Sequence, residues 1–359
     1  MAAPRPNRSS APQRVLVTGS ASGLGLEFVR WYAVRGHRVL ATDRLAAEQV
    51  QEGLWPAGVT YRQLDVTSDD DWAATVDWVQ QSWGGLDVVV NNAGVAAGGR
   101  IELSTIAEWH QVLDINLLGV VRGCRAAVEL MRPQGGGVIV NVASLAGLIH
   151  GPSMATYNVT KAGVVALSET LHHELAPHGI QVSVVCPYFV RTNIAGSMHS
   201  TDPAALAAAR RYVDGARATP EVIVGRAMRG VEAGRFLVLT DAMGRLGYWG
   251  KRLAGPVYRP ARRPRPRPDA APRPPPPHPG NGRGGGLPPP RLSIPLRTPA
   301  RRIPSESSGL RACSNLPPAS PGARPCGQVG TCVMRRRGRR RSMTGISEKL
   351  FGLVEILTS

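Results

Sequence analysis

Residues 14–25 read RVLVTGSASGLG. The first five form a short apolar, β-branched run of strand length, and the residues after the glycines open an amphipathic helical stretch. Between them lie Gly19, Ser22, Gly23, Leu24 and Gly25. A tight turn that brings backbone close to a pyrophosphate needs residues without a Cβ, and the helix that follows points its first N–H groups at the same place. On its own the turn also suits a plain strand-to-helix connection.

Working outward, the same alternation repeats. Short apolar runs at 14–19, 38–43, 59–66, 86–93, 137–144, 180–187 and 235–241 read as seven strands. Helical patterns fall at about 23–35, 69–83, 104–131, 153–176 and 220–233. Near-continuous apolar strands separated by helices define an α/β, Rossmann-like, doubly wound parallel sheet covered on both faces. Asp69, Asp70 and Asp71 place negative charge at a helix start, where the helix dipole favours it. Residues 191–217 are small, polar and helix-prone in patches, as a mobile flap over a site would be. No solenoid-length repeat occurs.

Composition limits how far this domain extends. The chain has 359 residues and a net charge of +18, but residues 1–258 hold 23 Lys plus Arg against 21 Asp plus Glu, whereas 259–359 hold 20 against 4. The same last segment has 20 of the 31 prolines and a single aromatic, Phe351. So few bulky apolar groups cannot offset chain entropy. The expectation is a flexible N-terminus over 1–13, one folded domain over 14–258 and a disordered Pro/Arg-rich tail over 259–359. Five cysteines without a CxxC pair argue against a zinc ribbon or disulfide framework, and no apolar leader or membrane span is seen, so the expected location is cytoplasmic.

Asp43 ends the second strand, 18 residues after Gly25. A carboxylate there accepts hydrogen bonds from both adenine-ribose hydroxyls and repels a 2′-phosphate, which favours NAD over NADP. The adjacent Arg44 keeps NADP open as the second choice, and a helix cap is the plain structural role for Asp43. No Lys-Ser or Lys-Thr follows the glycines, which excludes a nucleotide-triphosphate loop.

Tyr157 and Lys161 stand four apart on one helix face, and Ser144 ends the preceding strand. This trio suits hydride transfer. A carbonyl oxygen that gains charge as hydride arrives must take a proton, which Tyr157 supplies, while Ser144 hydrogen-bonds the same oxygen. A lysine cation beside the phenol favours the phenolate. A serine-hydrolase elbow fails, because Val142 stands where glycine is needed. The faint zinc motif around His173 and His178 fails on its spacing of five and on Pro177. Those histidines read as surface residues.

TGSASGLG, NNAG at 91–94, Asn116 in DINLLG, Ser144 and Tyr157 with Lys161 together resemble the short-chain dehydrogenase/reductase family in its compact single-domain type, over about residues 12–255. The resemblance implies a catalytic set of Asn116, Ser144, Tyr157 and Lys161. In it Asn116 holds a relay water, Ser144 orients the substrate oxygen, Tyr157 is the acid/base, and Lys161 binds the nicotinamide ribose and lowers the tyrosine pKa. It further implies cofactor contacts from Asp65 and Val66 near adenine, from Asn91, Asn92, Ala93 and Gly94 at a strand end, and from Pro187, Val190 and Thr192 near nicotinamide. A homodimer or homotetramer through the helices around 104–131 and 153–176 is implied as well. One departure stands out, since Pro187 is followed by Tyr188 where the family commonly has glycine.

Val95, Leu145, Leu148, Tyr188, Phe189, Ile194 and Met198 are candidate substrate walls, although core packing explains about half of such residues. They point to a small-molecule hydrophobic secondary alcohol or ketone. Two rival readings are a catalytically silent NAD-binding regulator and a nucleic-acid-associated protein acting through the basic tail. The intact site set opposes the first, and the lack of aromatics among the tail arginines opposes the second. No metal site is expected.

Overall fold

The computed structural model describes residues 11–253, except 189, 192–197, 199, 201, 204–206, 208–210, 212–214 and 217. Three of the expected site residues, Phe189, Thr192 and Ile194, therefore lie outside the described residues, as do the expected tail over 259–359 and most of the expected flap.

Seven parallel strands form one sheet in the order β3-β2-β1-β4-β5-β6-β7. They are β1 (Arg14–Thr18), β2 (Arg38–Asp43), β3 (Thr60–Gln63), β4 (Val88–Asn91), β5 (Gly137–Val142), β6 (Ile180–Cys186) and β7 (Leu237–Leu239). The chain runs outward from β1 in one direction and then returns to its other side at β4, so a crevice opens at the C-terminal ends of β1 and β4. All but β2 end one to three residues short of the apolar runs that mark them. The surplus residues, including Gly19, Asn92, Ser144 and Pro187, leave the ladder at the carboxyl edge of the sheet and line this crevice.

Strand residues alternate between two apolar layers. Leu16, Leu40, Val89, Ile139 and Val182 pack on one face, and Val15, Val17, Val39, Val90 and Val140 pack on the other. The helices that cover them include α1 (Gly23–Ala33), α2 (Asp69–Trp83), α3 (Ile106–Leu113), α4 (Gly119–Met131), α5 (Ala155–Leu175), α6 (Pro220–Glu232) and α7 (Ala242–Leu253). At the start of α2, Ser68 Oγ accepts from the Asp71 amide at 3.1 Å, and the first turn carries Asp69, Asp70 and Asp71, as their charge requires.

Two differences from the sequence expectation bear on function. The stretch 104–131 is not one helix. A capping box between Thr105 and Glu108 starts α3, and a π-helical segment, Asp114–Leu118, then separates α3 from α4. Helix α7 has no counterpart in the sequence reading, because Gly244, Gly247 and Gly250 weigh against a helix. Here tertiary packing decides. Gly244 sits against the Asp241 carboxylate and Gly247 against Ile149, so a Cβ at either would press on a neighbour.

Candidate active site

The glycine turn is built around contacts that exclude side chains. Gly19 has φ +64°, and a Cβ there would lie 2.7 Å from the Ala93 Cα. A Cβ on Gly25 would meet the Gly19 carbonyl oxygen itself. Thr18 holds the turn to the end of β4, since its hydroxyl accepts from the Asn92 and Ala93 amides, both at 3.0 Å. Asn92 returns the contact by donating to the carbonyls of Thr18 and Gly19 at 3.0 and 3.1 Å. Sequence reasoning passed over Thr18, although its position directly before Gly19 was a usable signal.

The residues of the turn fit a dinucleotide. Ser22 is the N-cap of α1 but makes no side-chain capping bond, and the first turn carries no acidic residue. The N–H groups of that turn are thus left as donors, at the positive end of the helix. Asp43 stands beside them, where one carboxylate oxygen accepts from the Ala21 amide at 3.0 Å. Arg44, the reason for keeping NADP open, is exposed.

Asp65 spends one carboxylate oxygen on the Thr67 amide and hydroxyl, at 2.9 and 2.7 Å. Val66 is buried and packs against Gly119. Asn91 does not face the crevice. Its side chain points beneath the sheet, donating to Asn141 Oδ1 at 2.8 Å, and Asn141 donates to Ser168 Oγ at 3.0 Å. The strand end thus contributes Asn92, Ala93 and Gly94 to the crevice, with Asn91 serving the core.

Asn116 lies in the π-helical segment and is fully buried. Its amide clamps Val95 by accepting from the backbone N–H at 2.8 Å and donating to the carbonyl at 2.9 Å. A Cβ on Gly94 would lie 3.1 Å from Asn116 Oδ1 and 3.4 Å from Lys161 Nζ, so the strand end, Asn116 and Lys161 converge there.

Ser144 caps a short 3-10 turn, its Oγ accepting from the Ala146 amide at 3.1 Å, and its neighbour Leu145 donates to the Pro187 carbonyl at 2.8 Å. Tyr157 is partly buried on α5. Burial raises its pKa, the Ser144 hydroxyl opposes the rise, and the buried Cys186 thiol adds to it. Lys161 is 4% exposed, and its Nζ lies 5.9 Å from the Tyr157 ring centre. Desolvation pulls Lys161 down to about 8. The dominant effect on Tyr157 is therefore desolvation, opposite in direction to the lysine effect expected from the sequence. Cys186 was not anticipated as part of this group. Its thiol is pushed up to about 12 by burial, while Lys161 and the Ser144 amide both pull it down.

Of the candidate walls, Leu145 is buried and Leu148 packs on the core, so both serve packing as well as the crevice rim. Tyr188 is exposed at 40%, and Val190 is buried. Across the described part of 191–217, Arg100 Nε pairs with the buried Asp202 at 3.1 Å, and Arg191 donates to the Ala216 and Ala218 carbonyls. His172 and His173 stack edge to face, and no cluster of metal-ligating groups occurs among the described residues.

A crevice at the switch point, an uncapped helix start facing an aspartate, and a Ser-Tyr-Lys group at the carboxyl edge define the site type of a nicotinamide-dependent oxidoreductase fold. The short chain dehydrogenase family model matches residues 13–203. The chain is 39% identical over 178 residues to a 3-alpha-(or 20-beta)-hydroxysteroid dehydrogenase of Mycobacterium tuberculosis, a match covering 49% of this chain and 68% of that one. It is 36% identical over 205 residues to 3beta-hydroxysteroid dehydrogenase 1 of Eggerthella lenta, covering 55% and 78%. A short chain dehydrogenase/reductase from Burkholderia phymatum, solved in complex with NAD, superposes with a TM-score of 0.62 at 29% identity, covering 68% of this chain and 95% of that one. This chain belongs to the short-chain dehydrogenase/reductase family, oxidoreductases that act on CH–OH groups.

Proposed function

We propose that the protein transfers hydride between NAD and a hydrophobic secondary alcohol or ketone of the hydroxysteroid class. The cofactor supplies the hydride acceptor or donor. The turn at Gly19, Gly23 and Gly25 seats its pyrophosphate on the free N–H groups of α1. Asp43, held at the turn by the Ala21 amide, accepts from the adenine-ribose hydroxyls and disfavours a 2′-phosphate. Asn92, Ala93 and Gly94 bound the crevice on the β4 side, Asp65 and Val66 on the adenine side, and Pro187 and Val190 on the nicotinamide side.

At the reacting carbon, Tyr157 Oη gives its proton to the substrate oxygen in reduction and takes it in oxidation. Ser144 Oγ hydrogen-bonds that oxygen and fixes its position. Lys161 supplies a buried cation to the ribose. Burial keeps Tyr157 a phenol near neutral pH, which suits it as proton donor. In oxidation its proton must leave as the alcohol's arrives, and Asn116, at the convergence of Val95, Gly94 and Lys161, positions the water that carries it. A homodimer or homotetramer is the proposed assembly.

The observation that carries this reading is the convergence of Ser144, Tyr157 and a fully enclosed Lys161 at the mouth of the glycine-turn crevice. The hydroxysteroid class rests on the two relatives and on the apolar walls. Screening NAD and NADP against 3- and 20-hydroxysteroids and simpler apolar alcohols tests it, with turnover expected for the former and NAD preferred.

A further inference from the structure

Helix α7 is apolar on two sides. Its inner face carries Gly244, Gly247, the buried Tyr248 and the stem of Lys251, whose Nζ donates to the Leu148 carbonyl at 2.6 Å. Its outer face, at i, i+3 and i+7 spacing, carries Leu246, Trp249 and Leu253, exposed at 38%, 52% and 79%. Met243 at its side is exposed as well. Single exposed apolar residues need no explanation, but a row aligned along the outer face of one helix does.

A second feature adjoins it. Strand β7 is the edge of the sheet, and Arg226, Arg229, Arg235 and Arg245 line an open groove of about 490 Å³ along it. Arg226 and Arg245 donate to the carbonyls of Thr240 and Leu239. Among the described residues, none of the four forms an ion pair with a carboxylate. Arg245 belongs to both features, since it lines the groove and flanks the apolar row. Arg252 lies on the same flank, over the Tyr248 ring.

We propose that α7 and the β7 groove form a docking surface for an anionic phospholipid bilayer, with Leu246, Trp249 and Leu253 entering the interface and the arginines contacting headgroups. An apolar row rimmed by cations is the pattern of a helix lying in the membrane plane, and tryptophan suits that depth. A two-fold contact with a second copy would set these arginines against their own duplicates, which like-charge repulsion opposes. Charge also continues along the chain, because residues 259–267 carry five arginines against no acidic residue. No described helix is long and apolar enough to cross a membrane. The inner face of α7 touches the loop after Ser144, so docking would bring the lipid beside the substrate side of the site; this last point rests on the function proposed above.

Sedimentation of the full chain with vesicles tests the surface without any turnover, so its failure is separable from failure of the enzymatic reading. Vesicles of phosphatidylcholine with phosphatidylglycerol should bind the protein, phosphatidylcholine alone should bind it far less, and added salt should release it. A Leu246→Asn, Trp249→Asn variant and an Arg229→Gln, Arg235→Gln variant should each lose roughly ten-fold in partitioning, with unchanged circular dichroism. Both retain the basic segment beyond residue 254, so undiminished binding would place the affinity there and overturn the proposal. Absence of vesicle binding by the wild-type chain would also overturn it. So would self-association or nucleic-acid binding that the same substitutions abolish while vesicle binding is absent.

Discussion

Lys161 Nζ donates to the carbonyl oxygen of Val142 at 3.0 Å, which anchors a buried ammonium under the end of the strand that delivers Ser144 two residues later. One helix residue is thereby fixed to the strand bearing its neighbour in the site. Lys161→Met should leave the Val142 carbonyl without this donor and lower kcat at least ~100-fold, because both positioning and charge are lost. Lys161→Arg should not rescue it, since a guanidinium is larger than the space beneath Gly94, where Nζ already lies 3.4 Å from the point a Cβ on that glycine would occupy. Steady-state kinetics on the two variants check this.

The same lysine sets a pH dependence of stability. Burial pulls Lys161 from 10.5 to about 8, so its charged form costs more in the folded chain than in the unfolded one. Between about 8 and 10.5 the unfolded chain holds the extra proton, and this residue's contribution to stability rises with pH across that window. Below about 8 the penalty is complete. Thermal melts of cofactor-free protein should show a steeper rise in Tm across that window for wild type than for Lys161→Met, and parallel curves would contradict the burial.

Gly25 has no room for a Cβ against the Gly19 carbonyl. Gly25→Ala must shift backbone, at a cost of about 1–3 kcal/mol, and should weaken NAD binding more than it lowers stability. Comparing cofactor titration with chemical denaturation of the variant separates the two.

Asp43 is held at the turn by the Ala21 amide. Removing its carboxylate in Asp43→Ala should raise KM for NAD roughly ten-fold, by loss of charge-assisted hydrogen bonds, and narrow the gap to NADP. An unchanged NAD-to-NADP ratio would mean that ribose selection lies elsewhere.

Much of this was legible in the sequence for physical reasons. Gly19 and Gly25 can hold only glycine, and Tyr157 and Lys161 share a face by helical geometry alone, so their spacing carries the site. Apolar runs located all seven strands, but not their ends, because Asn92, Ser144 and Pro187 keep a strand-like pattern after leaving the ladder. The side-chain direction of Asn91 was not legible for a related reason. Alternation along β4 turns it toward Asn141 and Cys124, and a run of two asparagines does not say which faces the crevice. Helix α7 was hidden because its glycines serve inter-element contact, which local propensity opposes. The desolvation of Tyr157 and Lys161 depends on packing from β5, α5 and β6 together, and no single segment encodes it.

The most direct test is initial-rate turnover of a 3- or 20-hydroxysteroid with NAD by the wild-type chain and by Tyr157→Phe, with cofactor binding measured in parallel. The expected result is NAD-dependent oxidation by the wild type, a ~100- to 10,000-fold loss in the variant, and near-equal NAD affinity in both. Turnover retained by Tyr157→Phe, or no oxidation or reduction of any apolar secondary alcohol or ketone by the wild type, would contradict it.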